Sequence, residues 1–410
     1  MITMKKWSVL LLIFSLVFLS LTPLTAWAEP DTDTTVEEPK DELPFDVDAN
    51  SAILMETTTG MILYEKDADT IYPPASITKI MTLLIVLEAT EEGKMDWDET
   101  VIISENAWRM KGSEMFLEIG QEVTVAELLQ GISVVSANDA CVAIAEHLYG
   151  SEEMFVQIMN QKAQELGMSN SRFQNTTGLP DPNENHYMSA RDIAILSAYT
   201  INNYPDILEL ESQREFTFND IVQQNRNPLL GRFPGADGLK TGWTTEAGHC
   251  LAGTAKQNDF RLVSVILNSP TERSRRSSTE ELLNYGFRNY IFKVLADKGE
   301  IVGEAPVPDG KDREVEASTQ KTLGAVITLP DEDKLETQII NDQLSAPHQK
   351  RDKIGEIPIL LEDEILNRVA LVAEHEVERT NFAVIALRQV GGFFKNIANG
   401  LVDMIKGIFE

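Results

Sequence analysis

The chain has 410 residues, with 35 Lys and Arg against 65 Asp and Glu, so its formal net charge is −30. This acidity excludes a general nucleic-acid-binding protein, because affinity for phosphate depends on dense Lys and Arg. Apolar residues make up 43% and charged residues 24% of the chain, a usage that excludes disordered and collagen-like proteins. The length predicts two or three domains.

The first 28 residues have the pattern of a secretion signal. Lys5 and Lys6 precede an apolar run from Trp7 to Leu21, and Ala26-Trp27-Ala28 has the small residues expected before a cleavage site. The alternative is an uncleaved membrane anchor, but the apolar run is short for a spanning helix. Cleavage removes the two lysines and changes the net charge from −30 to −32. We therefore expect an exported protein that works in the cell-wall space.

The chain contains two cysteines, Cys141 and Cys250. This number excludes both a disulfide-rich scaffold and a zinc site built from cysteines. The sequence leaves open whether the two pair, and we favour two buried free thiols.

Residues 29–45 are rich in Asp, Glu, Thr and Pro and predict a solvated linker. Ser51 to Tyr64 has the alternation and the central turn of a β-hairpin. Apolar periodicity predicts helices, and β-branched runs predict two adjacent strands. The helices are expected at 77–89, 125–129, 139–148, 152–166, 191–200 and 280–292, and the strands at 249–255 and 261–267. Helices that interrupt a sheet ending in hairpin partners indicate an α+β domain over residues 46–293.

Two further segments follow this domain. Short alternating runs between Pro, Gly and Asp clusters predict a small all-β domain over residues 294–389. These runs are Ile301 to Val307, Leu323 to Leu329, Leu335 to Ile340 and Ile354 to Leu361. Residues 390–410 then predict an amphipathic helix whose apolar face lies in a membrane interface; the alternative is that it packs on the β domain.

Three short motifs occur in a fixed order: Ser76-Ile77-Thr78-Lys79, Ser136-Ala137-Asn138 and Lys240-Thr241-Gly242. A lone S-x-x-K is expected by chance in a chain of this length, but the ordered set is typical of penicillin-binding proteins and class A β-lactamases. Asp is usual in the middle of the second motif, where this chain has Ala137.

The first motif has a direct chemical interpretation. On a helix, Lys79 lies one turn after Ser76 and on the same face, so its amine can reach the serine oxygen. Serine needs a base to become a nucleophile, and lysine can serve only when burial or positive neighbours lower its pKa. In the simpler alternative, Ser76 caps a helix and Lys79 is solvated.

The other two motifs supply candidates for proton transfer and substrate binding. Ser136 is a candidate proton relay, and Asn138 is a candidate to hold Lys79 and a substrate amide; both are also ordinary turn residues. Lys240 and Thr241 are candidates to bind a carboxylate, and Gly242 allows another backbone to approach closely. The backbone N–H groups of Ser76 and Trp243 are candidates for an oxyanion hole.

From about Ala52 to its end the chain resembles the serine D-alanyl-D-alanine carboxypeptidases, which are low-molecular-mass penicillin-binding proteins. Besides the three motifs, the resemblance rests on several longer segments. They are Tyr72-Pro73-Pro74-Ala75-Ser76, Ser136-Ala137-Asn138-Asp139-Ala140, Asn175-Thr176-Thr177-Gly178-Leu179, Asp237-Gly238-Leu239-Lys240-Thr241-Gly242 and Leu282-Leu283-Asn284-Tyr285-Gly286-Phe287. Members of the family often have Gly in the second motif, so Ala137 is a mild departure.

The resemblance implies a transpeptidase-like catalytic domain, a β-rich second domain and a C-terminal helix on the outer face of the cytoplasmic membrane. It also implies removal of the terminal D-alanine from peptidoglycan pentapeptide stems and covalent inhibition by β-lactam antibiotics. An arginine that binds the substrate carboxylate corresponds by spacing to Arg275, with Arg273 and Arg276 as neighbours. We expect no cofactor, and no metal because His147, His186 and His249 are dispersed.

Two rival functions remain at this stage. A β-lactamase needs a residue that activates the deacylating water, and Glu184 in the segment between Pro182 and His186 is the candidate. The other rival is a catalytically silent envelope protein that binds partners through its β domain and terminal helix.

Overall fold

A five-stranded antiparallel sheet is the centre of the first region of the chain. The structure, a computed structural model, describes residues 45–180, 185–342 and 344–388. The strands of this region are β1 (Ser51–Glu56), β2 (Ile62–Lys66), β3 (Ile71–Tyr72), β4 (Thr100–Ile102), β5 (Glu122–Thr124), β6 (Met188–Ser189), β7 (Glu215–Phe218), β8 (Ile221–Gln224), β9 (Ala236–Thr244), β10 (Gly248–Gln257) and β11 (Phe260–Ser269). The large sheet has the order β2-β1-β11-β10-β9, and the short strands pair as β3-β6, β4-β5 and β7-β8.

Helices cover this sheet. They are α1 (Lys79–Glu91), α2 (Glu105–Arg109), α3 (Val125–Gln130), α4 (Asn138–Tyr149), α5 (Glu152–Glu165), α6 (Ala190–Asn203), α7 (Asp206–Glu211) and α8 (Glu272–Asn289). A 3₁₀ turn, Ala75–Thr78, precedes α1, and a π-helical turn, Gly131–Val135, precedes α4. The mixture of helices and an antiparallel sheet confirms the predicted α+β class.

The register of the sheet confirms the two predicted hairpins. β1 pairs with β2, with Ala52 opposite Lys66, and β10 pairs with β11, with Ala252 opposite Val265. β1 also pairs with β11, so the beginning and the end of this region lie side by side in the sheet. β9 pairs only with β10 among the described strands and is therefore an edge strand.

Helix α1 is the central helix of the core. Every residue from Lys79 to Leu87 is buried, because the helix is apolar on all sides and has neighbours all round. It contacts α4, α5, α6, α7 and β9. Lys79 is therefore the one charged residue of this buried stretch, whereas Glu88 and Glu91, further along α1, are half-buried and exposed.

Capping residues fix the starts of the predicted helices. Ser151 accepts a hydrogen bond from the backbone N–H of Met154, and Ser189 accepts one from that of Asp192. Thr124 forms a capping box at the start of α3. The predicted helices at 125–129, 139–148, 152–166 and 191–200 are confirmed within a few residues.

The helix predicted at 280–292 was placed incorrectly. Helix α8 begins at Glu272, where Thr271 accepts a hydrogen bond from the N–H of Ser274, and it ends at Asn289. Its first two turns are rich in Ser and Arg, so they lack the apolar periodicity on which the prediction depended. The residues after it form a strand instead.

Most of the remaining described residues form an all-β region, as predicted, but residues 329–334 form a 3₁₀ turn, and residues 382–388, which we had assigned to the β domain, are helical. Its strands are β12 (Ile291–Ala296), β13 (Ile301–Pro306), β14 (Glu314–Thr319), β15 (Leu323–Ile327), β16 (Leu335–Thr337), β17 (Ile340–Asn341), β18 (Lys353–Leu361) and β19 (Glu364–Ala373). One sheet has the order β13-β14-β19-β18-β16, β17 also pairs with β18, and β12 pairs with β15. This region has its own hydrophobic core, which includes Ala317, Ile354 and Leu371.

The predictions for both ends of the chain lie outside the described residues. They concern the secretion signal at 1–28, most of the linker at 29–45 and the amphipathic helix at 390–410. Among the helices that the structure describes, none combines the length and the apolar character needed to cross a bilayer.

Candidate active site

Ser76 lies in the 3₁₀ turn, between two glycines that allow close backbone contact. A Cβ atom on Gly178 would lie 1.8 Å from the carbonyl oxygen of Ala75, and one on Gly242 would lie 2.7 Å from that of Pro74. Ala75 itself has a φ of 49°, a left-handed conformation that is unusual for alanine. The surrounding backbone therefore holds Ala75, directly before the serine, in a conformation that a free chain would rarely adopt.

The side chain of Lys79 reaches the serine, as the motif spacing predicts. Its Nζ lies 3.1 Å from Ser76 Oγ, 2.8 Å from Asn138 Oδ1 and 2.8 Å from the carbonyl oxygen of Thr177. A neutral amine has two N–H donors and one lone pair. If the two shorter contacts take the donors, the lone pair is directed at the serine hydroxyl.

The environment of Lys79 favours the neutral amine. Burial lowers the pKa of Lys79 to about 8, and the positive charges of Lys240 and Arg226 act in the same direction. The three direct partners of Nζ are an amide, a carbonyl and a hydroxyl, none of which is a carboxylate. Lys79 is thus suited to act as a base near neutral pH.

Asn138 is held from both ends of its side-chain amide. Its Oδ1 accepts the bond from Lys79, and its Nδ2 donates to the carbonyl oxygen of Lys111, 2.7 Å away. The next residue, Asp139, accepts from the backbone N–H groups of Met115 and Leu117, both at 3.1 Å. The two side chains join α4 to the loop that borders the site.

Ser136 ends the π-helical turn in a left-handed conformation, with a φ of 64°. Its side chain is buried, and within the described part of the chain its Oγ has no hydrogen-bond partner. The structure therefore brings Ser136 to the same cleft as Ser76 and Asn138 but does not join it to Lys79 by a hydrogen bond. A hydroxyl in this state can still bond to a bound substrate.

The third motif lies on the edge strand β9. Lys240 and Thr241 are buried, whereas 60% of the Trp243 surface is exposed. Burial lowers the pKa of Lys240, and the Glu211 carboxylate opposes that effect. Gly242 permits the close contact with the 3₁₀ turn described above, so β9 runs directly beside the nucleophile.

The three candidate arginines differ in burial. Arg275 is 4% exposed, and its guanidinium contacts Glu272 Oε1 at 3.3 Å and the carbonyl oxygen of Cys250 at 3.5 Å. Arg273 is exposed and Arg276 is half-buried. Arg275 is thus the one that the fold holds in a fixed position.

One cleft of about 1420 Å³ is lined by Ser76, Ser136, Asn138, Thr241, Gly242, Trp243 and Arg275, and the buried Lys79 and Lys240 lie behind its wall. Its lining includes the arginines at 214, 226, 232, 273, 275 and 276 but only two acidic residues, Glu246 and Glu272. A cleft with this excess of positive charge, in a chain with a net charge of −30, attracts anionic substrates. The site can therefore bind a carboxylate beside an activated serine.

Several residues of the site were not predicted. Thr177 lies in the family segment Asn175-Thr176-Thr177-Gly178-Leu179. Its carbonyl contact with Lys79 joins residues 98 positions apart, and no feature of the sequence predicts that contact. Arg226 and Glu211 lie outside the motifs.

Among the residues that the structure describes, no group of three or more His, Cys, Asp or Glu could hold a metal ion. Cys141 and Cys250 are buried free thiols, as we favoured.

Comparison with known families identifies this arrangement. The profile of the D-alanyl-D-alanine carboxypeptidases matches residues 33–271, and that of the penicillin-binding protein 5 C-terminal domain matches residues 292–379. The chain belongs to the D-alanyl-D-alanine carboxypeptidase family. The two matches also confirm the order of a catalytic domain and an all-β domain.

Two curated members of the family are similar over most of their length. D-alanyl-D-alanine carboxypeptidase DacF of Bacillus subtilis is 36% identical over 362 residues, which are 85% of this chain and 90% of the relative. D-alanyl-D-alanine carboxypeptidase DacA of Haemophilus influenzae is 36% identical over 381 residues, or 90% and 92% of the two chains.

Solved structures of penicillin-binding proteins have the same fold. Penicillin-binding protein 5 from Haemophilus influenzae matches with a TM-score of 0.72 and 34% identity, over 82% of this chain and 99% of that one. Penicillin-binding protein D2 from Listeria monocytogenes, in its ampicillin-bound form, matches with a TM-score of 0.55 and 33% identity over 59% of this chain and 98% of that one.

Proposed function

We propose that this protein is a serine-type D-Ala-D-Ala carboxypeptidase that removes the terminal D-alanine from peptidoglycan pentapeptide stems. The contact of 3.1 Å between Lys79 Nζ and Ser76 Oγ carries the proposal, because it pairs a nucleophile with a buried base. Membership of the carboxypeptidase family supports the choice of substrate.

In the first step, neutral Lys79 takes the proton of Ser76 as the serine oxygen attacks the carbonyl between the two D-alanines. The backbone N–H groups of Ser76 and Trp243 stabilise the oxyanion of the tetrahedral intermediate. The contacts of Lys79 with Asn138 and Thr177 hold the amine in place during this transfer. The barrier is lowered because the two reacting groups are already oriented.

In the second step, the bond to the terminal D-alanine breaks, and the proton that Lys79 took from Ser76 passes through Ser136 to the leaving amine, so Lys79 becomes neutral again. Ser136 can take this part because its hydroxyl has no competing hydrogen bond within the described residues. Water then hydrolyses the ester on Ser76 and frees the shortened stem.

The terminal carboxylate of the substrate binds Lys240, Thr241 and Arg275. Two observations support carboxylate binding by Arg275. Its side chain is buried beside β10, and its planar guanidinium can bind both oxygens of a carboxylate. A β-lactam follows the same route and stalls as an ester on Ser76. A relative that is 33% identical has been solved in its ampicillin-bound form, which supports this part of the proposal.

The location and the domain limits are part of the same proposal. The protein is exported by residues 1–28 and held on the outer face of the cytoplasmic membrane by the helix at 390–410. A linker at 29–45 precedes the catalytic domain at 46–293, which is followed by the β domain at 294–389. The motif of the first 28 residues supports the export, and a relative named D-alanyl-D-alanine carboxypeptidase, which matches 85% of this chain, supports the shared domain arrangement.

Labelling with a fluorescent penicillin tests the proposal. We expect one label per molecule of signal-free protein, located by mass spectrometry on the peptide that carries Ser76, and release of D-alanine from diacetyl-Lys-D-Ala-D-Ala. Ser76→Ala should abolish both. Ser169→Ala, a change at an exposed serine outside the cleft, should leave both intact.

Each rival function predicts a different result. Rapid repeated turnover of a chromogenic cephalosporin would indicate a β-lactamase; its candidate residue, Glu184, lies outside the described residues. Absence of label on folded protein would favour the silent envelope protein. D-alanine release at the wild-type rate by Ser76→Ala would refute the mechanism.

A further inference from the structure

A buried glutamate lies behind the third motif, outside the groups that the mechanism uses. Glu211, near the end of α7, is 1% exposed. Neither of its carboxylate oxygens makes a hydrogen bond of good geometry in the described part of the chain, and the polar neighbour that acts on it is the Ser133 hydroxyl, which lowers its pKa. A buried carboxylate with so little hydrogen bonding destabilises the fold unless a nearby positive charge compensates it.

The position of Glu211 is fixed relative to β9. A Cβ atom on Gly238 would lie 3.6 Å from Glu211 Cβ. Helix α7 packs against β9, so the buried carboxylate at the end of α7 lies beside the strand that carries Lys240. The carbonyl oxygen of Glu211 also accepts a bond of 3.1 Å from Asn225 Nδ2, which fixes the end of α7.

Glu211 is the acidic group that acts on Lys240. The charged and titratable groups whose fields reach Lys240 are Glu211 on α7, Arg226 in the loop after β8, Cys141 on α4 and Arg275 on α8. Arg226 and Arg275 are positive, so they lower the pKa of Lys240. Burial raises the pKa of the Cys141 thiol to about 12, so this thiol is neutral near pH 7. Only the ionised carboxylate of Glu211 favours the ammonium form of Lys240. Burial raises the pKa of Glu211 itself to about 8, and the charge of Lys240 opposes that rise, so the effect on Lys240 is largest on the alkaline side.

We propose that Glu211 is a positioning residue that keeps Lys240 protonated, so that the cleft retains the positive charge that binds the terminal carboxylate of the substrate. This inference rests on the proposed function, because it concerns the step in which the substrate binds. The carboxylate acts from behind the strand and does not touch the substrate.

The expected signature is a shift in the pH dependence of substrate binding. Without the carboxylate, burial and the neighbouring arginines lower the pKa of Lys240 further, so its ammonium is lost at a lower pH. An opposite charge near a titrating group shifts its pKa by about 1 to 3 units. In Glu211→Gln, the rise of KM on the alkaline side should therefore begin about 1 to 3 pH units lower than in the wild type, while kcat below that range changes little.

The experiment measures kcat and KM for diacetyl-Lys-D-Ala-D-Ala between pH 6 and 10, with penicillin labelling as a check that each variant is folded. Glu209→Gln, a change at an exposed carboxylate on the same helix, is the matched control and should follow the wild type. Glu211→Asp keeps the charge and should restore most of the wild-type profile, which a purely structural role would not require.

The outcomes separate this inference from the proposed function. Coincident KM profiles for folded Glu211→Gln and wild type would overturn the role of Glu211 and leave the carboxypeptidase activity standing. A wild type that releases no D-alanine at any pH would overturn the proposed function instead. If the Gln variant does not fold, Glu211→Met fills the same space without a polar group and provides the same comparison.

Discussion

The pKa of Lys79 predicts how the rate of acylation depends on pH. With a pKa of about 8 instead of the ordinary 10.5, about one molecule in ten has the neutral amine at pH 7, which is about 300 times the fraction for an ordinary lysine. Since only the neutral form can take the proton of Ser76, the rate at saturating penicillin should fall about tenfold for each pH unit below 8 and reach a plateau above it.

The direct assay is the rate of labelling by a fluorescent penicillin, measured by rapid mixing between pH 5.5 and 9.5. The acid side of the profile should be the same for kcat/KM of D-alanine release, because both reactions begin with the same proton transfer. A rate that does not change between pH 6 and 9 would refute the assignment of Lys79 as the base.

A charge variant tests the physical cause of the shift. Arg226 is one of the positive groups that lower the pKa of Lys79. Arg226→Gln removes that charge and should move the midpoint of the profile to higher pH. Arg232→Gln is the matched control, since Arg232 lines the same cleft but is not among the charges that act on Lys79. Equal midpoints in the two variants would contradict this cause.

Two further predictions concern the backbone and the carboxylate site. Gly178→Ala should destabilise the protein by at least about 1 kcal/mol more than Gly93→Ala in thermal unfolding, because both glycines have positive φ but only the first would place a Cβ against backbone atoms; equal losses would contradict the close contact. Arg275→Gln should raise KM by about 10-fold to 150-fold through loss of a charged hydrogen bond, and the exposed Arg273 should be nearly neutral; a larger effect of Arg273→Gln would assign the carboxylate to that residue instead.

The sequence predicted those parts of the fold that have a local cause. Helices α4, α5 and α6 follow from periodicity and caps such as Ser151 and Ser189, and the contact of Ser76 with Lys79 follows from their spacing. Helices α2 and α7, of five and six residues, were not predicted; α3 is equally short but was predicted, because its sequence Val125-Ala126-Glu127-Leu128-Leu129 is mostly apolar.

The parts of the site that could not be predicted depend on distant segments. The carbonyl of Thr177 reaches Lys79 only because Gly178 allows its loop to lie against the 3₁₀ turn. Arg275 is buried and Arg273 is exposed because of the way α8 packs on the sheet. A short sequence motif cannot predict packing contacts of this kind.

The two lysines of the motifs show why these distant contacts matter. The proposed mechanism needs Lys79 neutral and Lys240 charged at the same pH, although both are buried and burial lowers the pKa of each. The neighbours of the two lysines shift their pKa values differently. The direct partners of Lys79 are uncharged, whereas the carboxylate of Glu211 raises the pKa of Lys240. A positive Lys240 in turn lowers the pKa of Lys79. Holding the binding lysine charged therefore also helps to keep the catalytic lysine neutral, so the two functions of the cleft depend on the same buried carboxylate.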